Sequence, residues 1–371
     1  MEYQTEVVKA EYPGELNSRI LKEKGMDLIK ELKKDPAVIK AAELLKKGEI
    51  TALPTETVYG LAADAMNTEA VKKIFAAKGR PQDNPLIVHI GEKKQLTFLV
   101  DGEISLKAQM LIDRFWPGPL TIIFKKSSLV PDITSAGLDT VAVRMPAHPL
   151  ILAVMQLSEL ALAAPSANTS GYPSPTSAEH VYSDLNGKIP LIIDGGSSEV
   201  GVESTVIDLS GDKAVVLRPG GITREKISEL LEEEVALSSI KIGRKTSAPA
   251  PGMKYRHYAP DKKLHLFSPD NLNNILEQAE DKNIALIISK ENKPEANSIK
   301  NIKAVETFSK KNPAELGRKL YALLRQLDNN REVEEIYIEE IPDKGIGEAV
   351  MNRIYKACDE KRAEDSGGGE D

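Results

Sequence analysis

Short apolar segments alternate with amphipathic segments between residues 35 and 235, and this alternation most constrains the fold. It is typical of α/β domains, in which strands build one sheet and helices cover it. Two predicted strands, 204–209 and 214–218, are joined only by Ser210-Gly211-Asp212, which predicts an antiparallel hairpin. The sequence therefore predicts an α/β fold with a twisted sheet that mixes parallel and antiparallel strands. Other strands are predicted at 50–53, 86–90, 120–124, 141–145, 161–164 and 190–193, and helices at 68–77, 103–114, 149–157, 176–184 and 223–233.

Residues 263–360 show the same alternation of strands and helices over a shorter stretch. Strands are predicted near 263–267, 284–288, 302–306 and 335–339. Between the last two strands, five leucines recur at helical spacing and predict one amphipathic helix. We expect a small α/β domain with a largely parallel sheet. The leucines of the stripe are Leu316, Leu320, Leu323, Leu324 and Leu327.

The segment between these two regions, 236–262, has the composition of a linker. Its part from Thr246 to Gly252 is rich in proline and alanine and is expected to be extended and semi-rigid. The next residues, 253–260, are aromatic and basic, which predicts that the linker docks on something. The predicted plan is an N-terminal arm at 1–34, a first domain at 35–235, the linker at 236–262, a second domain at 263–360 and a disordered acidic tail at 361–371.

Composition excludes several classes of function. The net charge of −7 over 371 residues argues against broad, nonspecific nucleic-acid binding. A single cysteine, Cys358, excludes an internal disulfide and any zinc site built from several cysteines. No apolar run is long enough to cross a bilayer, and the first residues lack the pattern of a signal peptide. We therefore expect a cytoplasmic protein without a membrane partner.

The loop from Lys78 to His89 carries two cations and an amide between two packed elements. Gly79 predicts the end of a helix, and Pro81 and Pro85 exclude regular structure between them. Lys78, Arg80 and Asn84 thus lie on a stiff loop, and His89 lies inside the following strand. The stretch fits a site for an anionic ligand and equally a solvated loop beside a core histidine.

Further polar loops follow apolar strands, and ligands of open α/β sheets bind beyond strand ends. Each loop alone is also compatible with an ordinary turn or helix cap. Together their hydroxyls, amides and arginines suit a ligand that carries phosphates and a carboxylate. No phosphate loop and no nucleophile elbow is present. The loops are 54–57, 140–146, 163–176, 202–205 and 216–221.

These motifs resemble the YrdC-like domain, and the linker followed by a small α/β domain resembles the long, two-domain form of the L-threonylcarbamoyladenylate synthase family. The resemblance covers about residues 36–360. The motifs that carry it are Leu53–Leu61, Lys78–His89, Trp116–Thr121, Ala164–Asn168, Gly201–Thr205, Leu217–Gly220 and Ala250–Pro260.

The resemblance implies an enzyme that condenses L-threonine, bicarbonate and ATP into threonylcarbamoyl-AMP and pyrophosphate. The product would pass to a tRNA threonylcarbamoyl-transfer complex for modification of an adenosine next to the anticodon. The implied fold is a twisted mixed sheet with a concave, positively charged cleft that the linker crosses, followed by a small Rossmann-like second domain. No stable nucleic-acid binding is expected. Mg²⁺ would be bound through ATP, with no metal ligand from the protein.

Matching the family motifs residue by residue implies two pockets. The positions implied for L-threonine are Thr57, His89, Arg144, Ala164 and Ser204, with Arg144 on the carboxylate. The positions implied for ATP are Arg80, Asn84, Thr140, Ser166, Ser174, Arg218 and Tyr255. Lys78 and Arg80 would stabilise charge on the phosphates, no residue is assigned as a nucleophile, and Tyr255 would close a lid over ATP.

Three alternatives stay open at this point. One is a related enzyme that makes a carbamoyl adenylate from another substrate. Another is an RNA-binding YrdC-like module, whose cleft would hold an RNA backbone. The third is an amino-acid sensor that binds threonine without turning over ATP. His89 is a possible proton acceptor for the threonine amine, although a strand histidine also suits an orienting role.

Overall fold

The structure is a computed structural model that describes residues 3–12, 14–211, 213–238, 257–272, 282–293 and 301–358. The chain divides into two compact units. The first comprises Met1–Ser170 and Ser174–Tyr255, and the second comprises Gly171–Pro173 and Arg256–Asp371. Tyr255, most of the linker and the acidic tail lie outside the described residues, so the predictions made for them stay predictions.

The first unit is built on one mixed sheet of eleven strands. The strands are β1 (Glu6–Lys9), β2 (Thr51–Leu53), β3 (Gly60–Asp64), β4 (Ile87–His89), β5 (Leu120–Lys125), β6 (Thr140–Arg144), β7 (Leu162–Ala163), β8 (Leu191–Asp194), β9 (Thr205–Asp208), β10 (Val215–Arg218) and β11 (Ala236–Leu237). Their order is β1-β8-β2-β3-β7-β4-β6-β5-β9-β10-β11. β4 pairs with β6 in parallel, whereas β5 with β6 and β9 with β10 are antiparallel. The predicted mixed sheet and its hairpin are therefore confirmed.

The sequence pattern missed two strands of this sheet, β3 and the two-residue β11, and β3 is the more informative case. Its residues Gly60-Leu61-Ala62-Ala63-Asp64 include no β-branched or aromatic side chain, so local strand propensity is low. The strand forms because it pairs antiparallel with both β2 and β7, and three of its residues have no exposed surface. Tertiary pairing has overridden local propensity here.

Helices pack on both faces of the sheet, but one shallow apolar cluster, which includes Ile87, Ile123 and Ala142, consists of strand residues alone and marks the part of one face that we call open. They are α1 (Ser18–Leu32), α2 (Pro36–Lys46), α3 (Thr68–Lys78), α4 (Leu96–Leu99), α5 (Leu106–Phe115), α6 (Asp132–Ser135), α7 (Pro149–Ser158), α8 (Ala178–Leu185) and α9 (Arg224–Leu231), with a 3₁₀ turn at Lys93–Gln95. α3, α5 and α8 contribute to one apolar core, and α1, α2 and α7 contribute to another. As predicted, Asp35 caps α2 through the Ala37 amide, and α3 ends where Gly79 adopts left-handed φ of 61°.

The segment 1–34, predicted as an N-terminal arm, packs on the first unit. β1 pairs in parallel with β8 and extends the sheet, and α1 follows as a helix. Leu28, Ile29 and Leu32 of α1 are each 1% exposed and belong to the core on the α7 face. The segment is therefore part of the first unit, because its apolar stripe is buried there, although the high charge of the segment concealed that stripe.

The second unit has a parallel sheet of four strands, as predicted. They are β12 (Lys263–Phe267), β13 (Ile284–Ser289), β14 (Ile302–Phe308) and β15 (Glu335–Glu339), in the order β12-β15-β13-β14. The helices within its described residues are α10 (Pro313–Asn329), which carries the leucine stripe, and α11 (Ile346–Ala357), with 3₁₀ turns at Pro269–Asn271 and Lys290–Asn292. All five leucines of the stripe are buried. In the part of the chain that the structure describes, no helix is long and apolar enough to span a membrane.

The described end of the predicted linker packs within the second unit. Tyr258 is buried, stacks on Tyr321 of α10 at 5.5 Å between ring centroids, and lies under the guanidinium of Arg353. Its φ is 67°, which is unusual for a residue other than glycine. Packing on both sides of the ring holds Tyr258 in this strained conformation.

Candidate functional site on the open face of the first sheet

Alternating residues of β6 place a polar and a small side chain on the same face of the sheet. Successive strand residues point to opposite faces of the sheet, so the side chains of Thr140, Ala142 and Arg144 lie on the same face. Ala142 packs in a shallow apolar cluster with Ile87 of β4 and Ile123 of β5, its register partners. In the next row, Arg144 lies between His89 of β4 and Thr121 of β5. These two rows form the floor of the candidate site.

Arg144 is buried at the end of β6 and is held from three sides. Its Nε donates to the carbonyl of Gly118 at 3.2 Å, and its Nη1 donates to Thr57 Oγ1 at 2.9 Å. Its Nη2 lies 2.7 Å from Glu56 Oε1, a contact that joins opposite charges without a well-aligned hydrogen bond. The guanidinium is therefore fixed in place as a positive group on the floor.

Arg218, at the end of β10, reaches the same row through Ser204. Its Nη2 donates to the carbonyl of Ser204 at 2.9 Å and to its Oγ at 3.1 Å. Ser204 Oγ lies 2.8 Å from Thr121 Oγ1, and Thr121 is the register partner of Arg144. One polar row thus connects Arg218 to Arg144, and both arginines belong to one region of the first unit.

His89 lies in the same row and feels the charge of both arginines. Burial, the positive charge of Arg144 and then that of Arg218 together lower the pKa of His89 from 6.5 to about 3. Both arginines must lie near the ring to act on it, and the imidazole is neutral at pH 7. Its Nδ1 lies 3.2 Å from the carbonyl of Ile87, which suits a neutral ring with its proton on Nδ1.

The loop after β2 and the loop before β9 meet beside this row. The amides of Val200 and Gly201 donate to the carbonyls of Glu56 and Thr57 at 2.8 and 3.2 Å. The same loop carries Glu203, whose Oε1 accepts from Ser174 Oγ at 2.6 Å. Ser174, predicted on the nucleotide side, is therefore tied to the residue before Ser204. Ala164 lies against β4, since its amide donates to the carbonyl of Ile87 at 3.1 Å.

Lys78 is buried, and its ammonium binds the loop that follows β7. Its Nζ donates to the carbonyl of Asn168 at 2.6 Å and to the carbonyl of Ser166. Ser166 Oγ in turn donates to Asn168 Oδ1 at 2.5 Å. Lys78 therefore positions Ser166, and the direct contact with phosphates that we predicted for Lys78 stays a prediction.

Arg80, Asn84 and Thr140 lie toward the other end of the floor. The guanidinium of Arg80 donates to the carbonyls of Asn84 and Pro85 at 3.3 and 3.1 Å. Asn84 precedes β4 and Thr140 begins β6, and these strands run parallel, so both residues lie at the end opposite Arg144. Four residues at about 3.3 Å each separate Thr140 from Arg144 by roughly 13 Å. Thr140 is therefore on the face of Arg144 but not beside it.

The side chain of Asn84 is unusual in this region. It is 1% exposed, and neither its Oδ1 nor its Nδ2 has a hydrogen-bond partner among the described residues. Leaving buried polar groups unsatisfied costs about 1–3 kcal/mol each. A ligand that donates a hydrogen bond to Oδ1 and accepts one from Nδ2 would account for this buried amide.

The residue-based predictions missed Glu56 and Thr121 as members of the site. Glu56 lies within the loop 54–57 that the sequence singled out, and Thr121 lies within the motif Trp116–Thr121. Alternation along β5 offered a signal for Thr121, since it is a polar residue inside an apolar strand. The partner of Glu56 is 88 residues away in Arg144, and no spacing in the sequence indicates that contact.

Comparisons with known proteins agree with the two-unit architecture. Residues 43–220 match the family model Sua5_yciO_yrdC, described as telomere recombination. Residues 222–358 match the family model of the C-terminal domain of threonylcarbamoyl-AMP synthase. The two models follow each other along the chain, and the boundary between them lies before α9, ahead of the predicted linker at 236–262.

Similar proteins cover nearly the whole chain. The threonylcarbamoyl-AMP synthase of Bacillus subtilis (strain 168) is 46% identical over 334 residues, which is 87% of this chain and 93% of that protein. That of Pyrococcus abyssi (strain GE5 / Orsay) is 47% identical over 321 residues, covering 85% and 92%. The crystal structure of P. abyssi Sua5 complexed with L-threonine has 46% identity and a TM-score of 0.77, covering 86% of this chain and 93% of that one. On this similarity, the chain is an enzyme that belongs to the threonylcarbamoyl-AMP synthase family, in its two-domain form.

Proposed function

We propose that this protein condenses L-threonine, bicarbonate and ATP into L-threonylcarbamoyladenylate and pyrophosphate. The observation that carries the proposal is the polar row on the open face of the sheet. It holds two fixed guanidinium groups, Arg144 and Arg218, around the neutral imidazole of His89. A row of this kind suits a small ligand that brings both a carboxylate and a phosphate to one place.

The amino acid would bind at the Arg144 end. Arg144 would take the carboxylate of threonine, because guanidinium and carboxylate groups form strong paired hydrogen bonds. Thr57 and Ser204 place hydroxyl groups beside the same guanidinium row and would fix the amine and hydroxyl of the substrate. Ala164 would contribute its backbone, close to β4.

The nucleotide would extend along the floor toward Thr140. Asn84 would use its buried, unsatisfied amide on the nucleotide, and Arg80, Ser166 and Ser174 would complete that end. Arg218, in the row of Arg144, would neutralise charge at the α-phosphate. Mg²⁺ would enter as part of the substrate MgATP and bridge phosphate oxygens.

Catalysis in this arrangement rests on placement and charge. The carbamate oxygen attacks the α-phosphorus in line, and pyrophosphate leaves. Such reactions need little covalent help from the protein, which fits a row without an evident nucleophile. With a pKa near 3, His89 is a weak base at neutral pH. We therefore assign it an orienting role.

The wider setting that we propose combines the chemistry of the product with what the family resemblance implies. Carbamates and mixed anhydrides hydrolyse readily, so the linker with Tyr255 would act as a lid that excludes water. The product would be passed on in the cytoplasm to a complex that transfers the threonylcarbamoyl group to tRNA, beside the anticodon.

The direct test is release of pyrophosphate from ATP with each other substrate omitted in turn. The proposal predicts release only when threonine and bicarbonate are both present. Release without threonine would favour a carbamoyl-adenylate enzyme for another substrate. Threonine binding without any release would favour an amino-acid sensor. Tight RNA binding that falls steeply with salt would favour the RNA-binding alternative.

A further inference from the structure

Glu56 is a buried carboxylate at the candidate site whose role the proposed function leaves open. Its side chain is 2% exposed and lies 2.7 Å from the guanidinium of Arg144. Within the described part of the chain, neither of its oxygens accepts a well-formed hydrogen bond. Buried carboxylates are normally saturated with hydrogen bonds, because burial removes them from water. Glu56 is therefore held by charge alone and keeps its accepting capacity.

The Glu56–Arg144 pair has the charge pattern opposite to that of an amino acid. A free amino acid carries a carboxylate and an ammonium on the same carbon atom. A buried positive group and a buried negative group in contact present the complementary pair of charges at a similar separation. When the carboxylate of threonine binds Arg144, its ammonium would lie within reach of the other member of the pair.

We propose that Glu56 is the catalytic residue that binds the α-ammonium of L-threonine and accepts its proton, so that the free amine can attack bicarbonate. This inference rests on the proposed function and adds to it the acceptor that the site otherwise lacks. The ammonium transfers one proton to a carboxylate oxygen of Glu56. The nitrogen lone pair then attacks the carbon of bicarbonate, and the C–N bond forms as one C–O bond breaks, giving the carbamate and water.

Two other groups near the row are less suited to this task. His89 is neutral, so it offers no negative charge to hold the ammonium, and its Nδ1 lies against the carbonyl of Ile87. The carboxylate of Glu203 is buried nearby, but its Oε1 already accepts from Ser174 Oγ. Glu56 has the direct contact with the group that would hold the threonine carboxylate.

The pH dependence of such a step depends on the charged and titratable groups around Glu56. Arg144 from β6 is in contact with it, and His89 from β4 and Arg218 from β10 lie along the same row. The loop that binds the Glu56 carbonyl carries Glu203. At the base of loop 54–57, Gly195 lies against both Pro54 and His148, whose pKa burial lowers to about 4. Both histidines are therefore neutral at working pH, and the ammonium of threonine is the group that changes charge.

The experiment measures kcat/KM for threonine in wild type and Glu56→Gln from about pH 6.5 to about 9.5, with pyrophosphate release as readout. Glutamine keeps the shape but cannot accept the proton. We expect a loss of about 100-fold near neutral pH that shrinks to about tenfold or less at high pH, where threonine supplies its own free amine. An equal loss at every pH would overturn the proposal and leave Glu56 as a purely structural partner of Arg144.

Glu49→Gln is the matched control. Glu49 is also partly buried and paired, with Lys73 and Tyr3, but lies before β2 and away from the row. Its pH profile should follow wild type. If wild type itself shows no release that depends on threonine and bicarbonate, the proposed function fails, and this inference fails with it, for a reason the assay identifies separately.

A binding measurement keeps the inference testable if Glu56→Gln does not fold. Calorimetry would compare L-threonine with 2,3-dihydroxybutanoate, in which a hydroxyl replaces the ammonium, on wild type and on Glu56→Asp. Wild type should bind threonine about 100-fold more tightly than 2,3-dihydroxybutanoate, because the hydroxyl compound leaves the carboxylate of Glu56 without a charged partner. Equal affinity of wild type for the two compounds would overturn the proposal.

Discussion

Two buried glutamates, one in each unit, show how differently the same side chain can be held. Glu339 at the end of β15 has no exposed surface and accepts from the Ser289 amide at 2.8 Å, from Asn292 Nδ2 at 2.8 Å and from Lys310 Nζ at 2.6 Å. The side chain of Glu56 in the first unit is buried to a similar degree, but among the described residues its one polar contact is the ion pair with Arg144.

The difference separates structural from functional burial. Glu339 joins the ends of β13 and β15 and has its accepting capacity filled by the protein, so it stabilises the second unit. Glu56 and Asn84 carry polar atoms that the described protein leaves without hydrogen bonds, a cost that stability alone does not explain. On this comparison, the open face of the first sheet is the region arranged for a ligand.

The largest expected effect is on Arg144. Arg144→Met should lower kcat/KM for threonine about 1000-fold, because it removes the carboxylate partner and leaves Glu56 as an unpaired buried charge. Steady-state kinetics would measure this loss, with Arg19→Met on the exposed face of α1 as control. Normal use of threonine by Arg144→Met would contradict the site.

A substitution at Glu339 should affect stability and leave the chemistry intact. Glu339→Gln should reduce protection of β13 and β15 by about 3 kcal/mol, since Lys310 loses its buried counter-charge. Amide hydrogen exchange would measure this, and Glu315→Gln, at a more exposed ion pair, should cost less than about 1 kcal/mol. If Glu339→Gln changed the threonine dependence of the folded enzyme, the contrast between the two glutamates would fail.

Acidification should destabilise the first unit through His89. The folded-state pKa is about 3 and the unfolded value is 6.5, so the unfolded chain binds the proton first as the pH falls. The free energy of unfolding should therefore decrease below pH 6.5, and by pH 5 His89 accounts for about 2 kcal/mol of that decrease.

Fluorescence of Trp116, the single tryptophan of the chain, can follow this transition in the first unit. His89→Asn should show a smaller decrease in stability between pH 7 and pH 5 than wild type. Both proteins should still lose free energy of unfolding as the pH falls, because His148 is also buried with a lowered pKa. Identical slopes in the two proteins would contradict the assigned burial of His89.

The smallest expected effect concerns Asn84. Asn84→Ala should raise KM for ATP about tenfold, because a buried amide that binds the nucleotide is lost. It should leave the stability of the first unit unchanged or slightly raised, since the substitution removes unsatisfied polar atoms. A protein that loses stability but keeps its KM for ATP would place Asn84 in the core and not in the site.

Local sequence patterns were sufficient for the elements with strong periodicity and clear caps. The helix after Asp35-Pro36, the hairpin around Ser210-Gly211-Asp212 and the leucine stripe of α10 all lie where the pattern placed them. In each case a few neighbouring residues determine the structure. The motifs in the loops indicated the family. The family resemblance in turn implied which residues share a cleft.

The remaining features depend on contacts between distant residues. β3 has little strand propensity and forms through its two neighbours, and α1 was concealed because charged residues dominate its composition. The register that sets Arg144 between His89 and Thr121 joins three strands and cannot be read from any one of them. For the same reason, the contact of Glu56 with Arg144 was missed.

The most direct measurement is a crystal structure of the protein with L-threonine and a non-hydrolysable ATP analogue. The account predicts the threonine carboxylate within hydrogen-bond distance of Arg144, the α-phosphate near Arg218, and the nucleotide extending along β6 toward Asn84 and Thr140. Phosphates at Arg144, or the two ligands on different faces of the sheet, would contradict it.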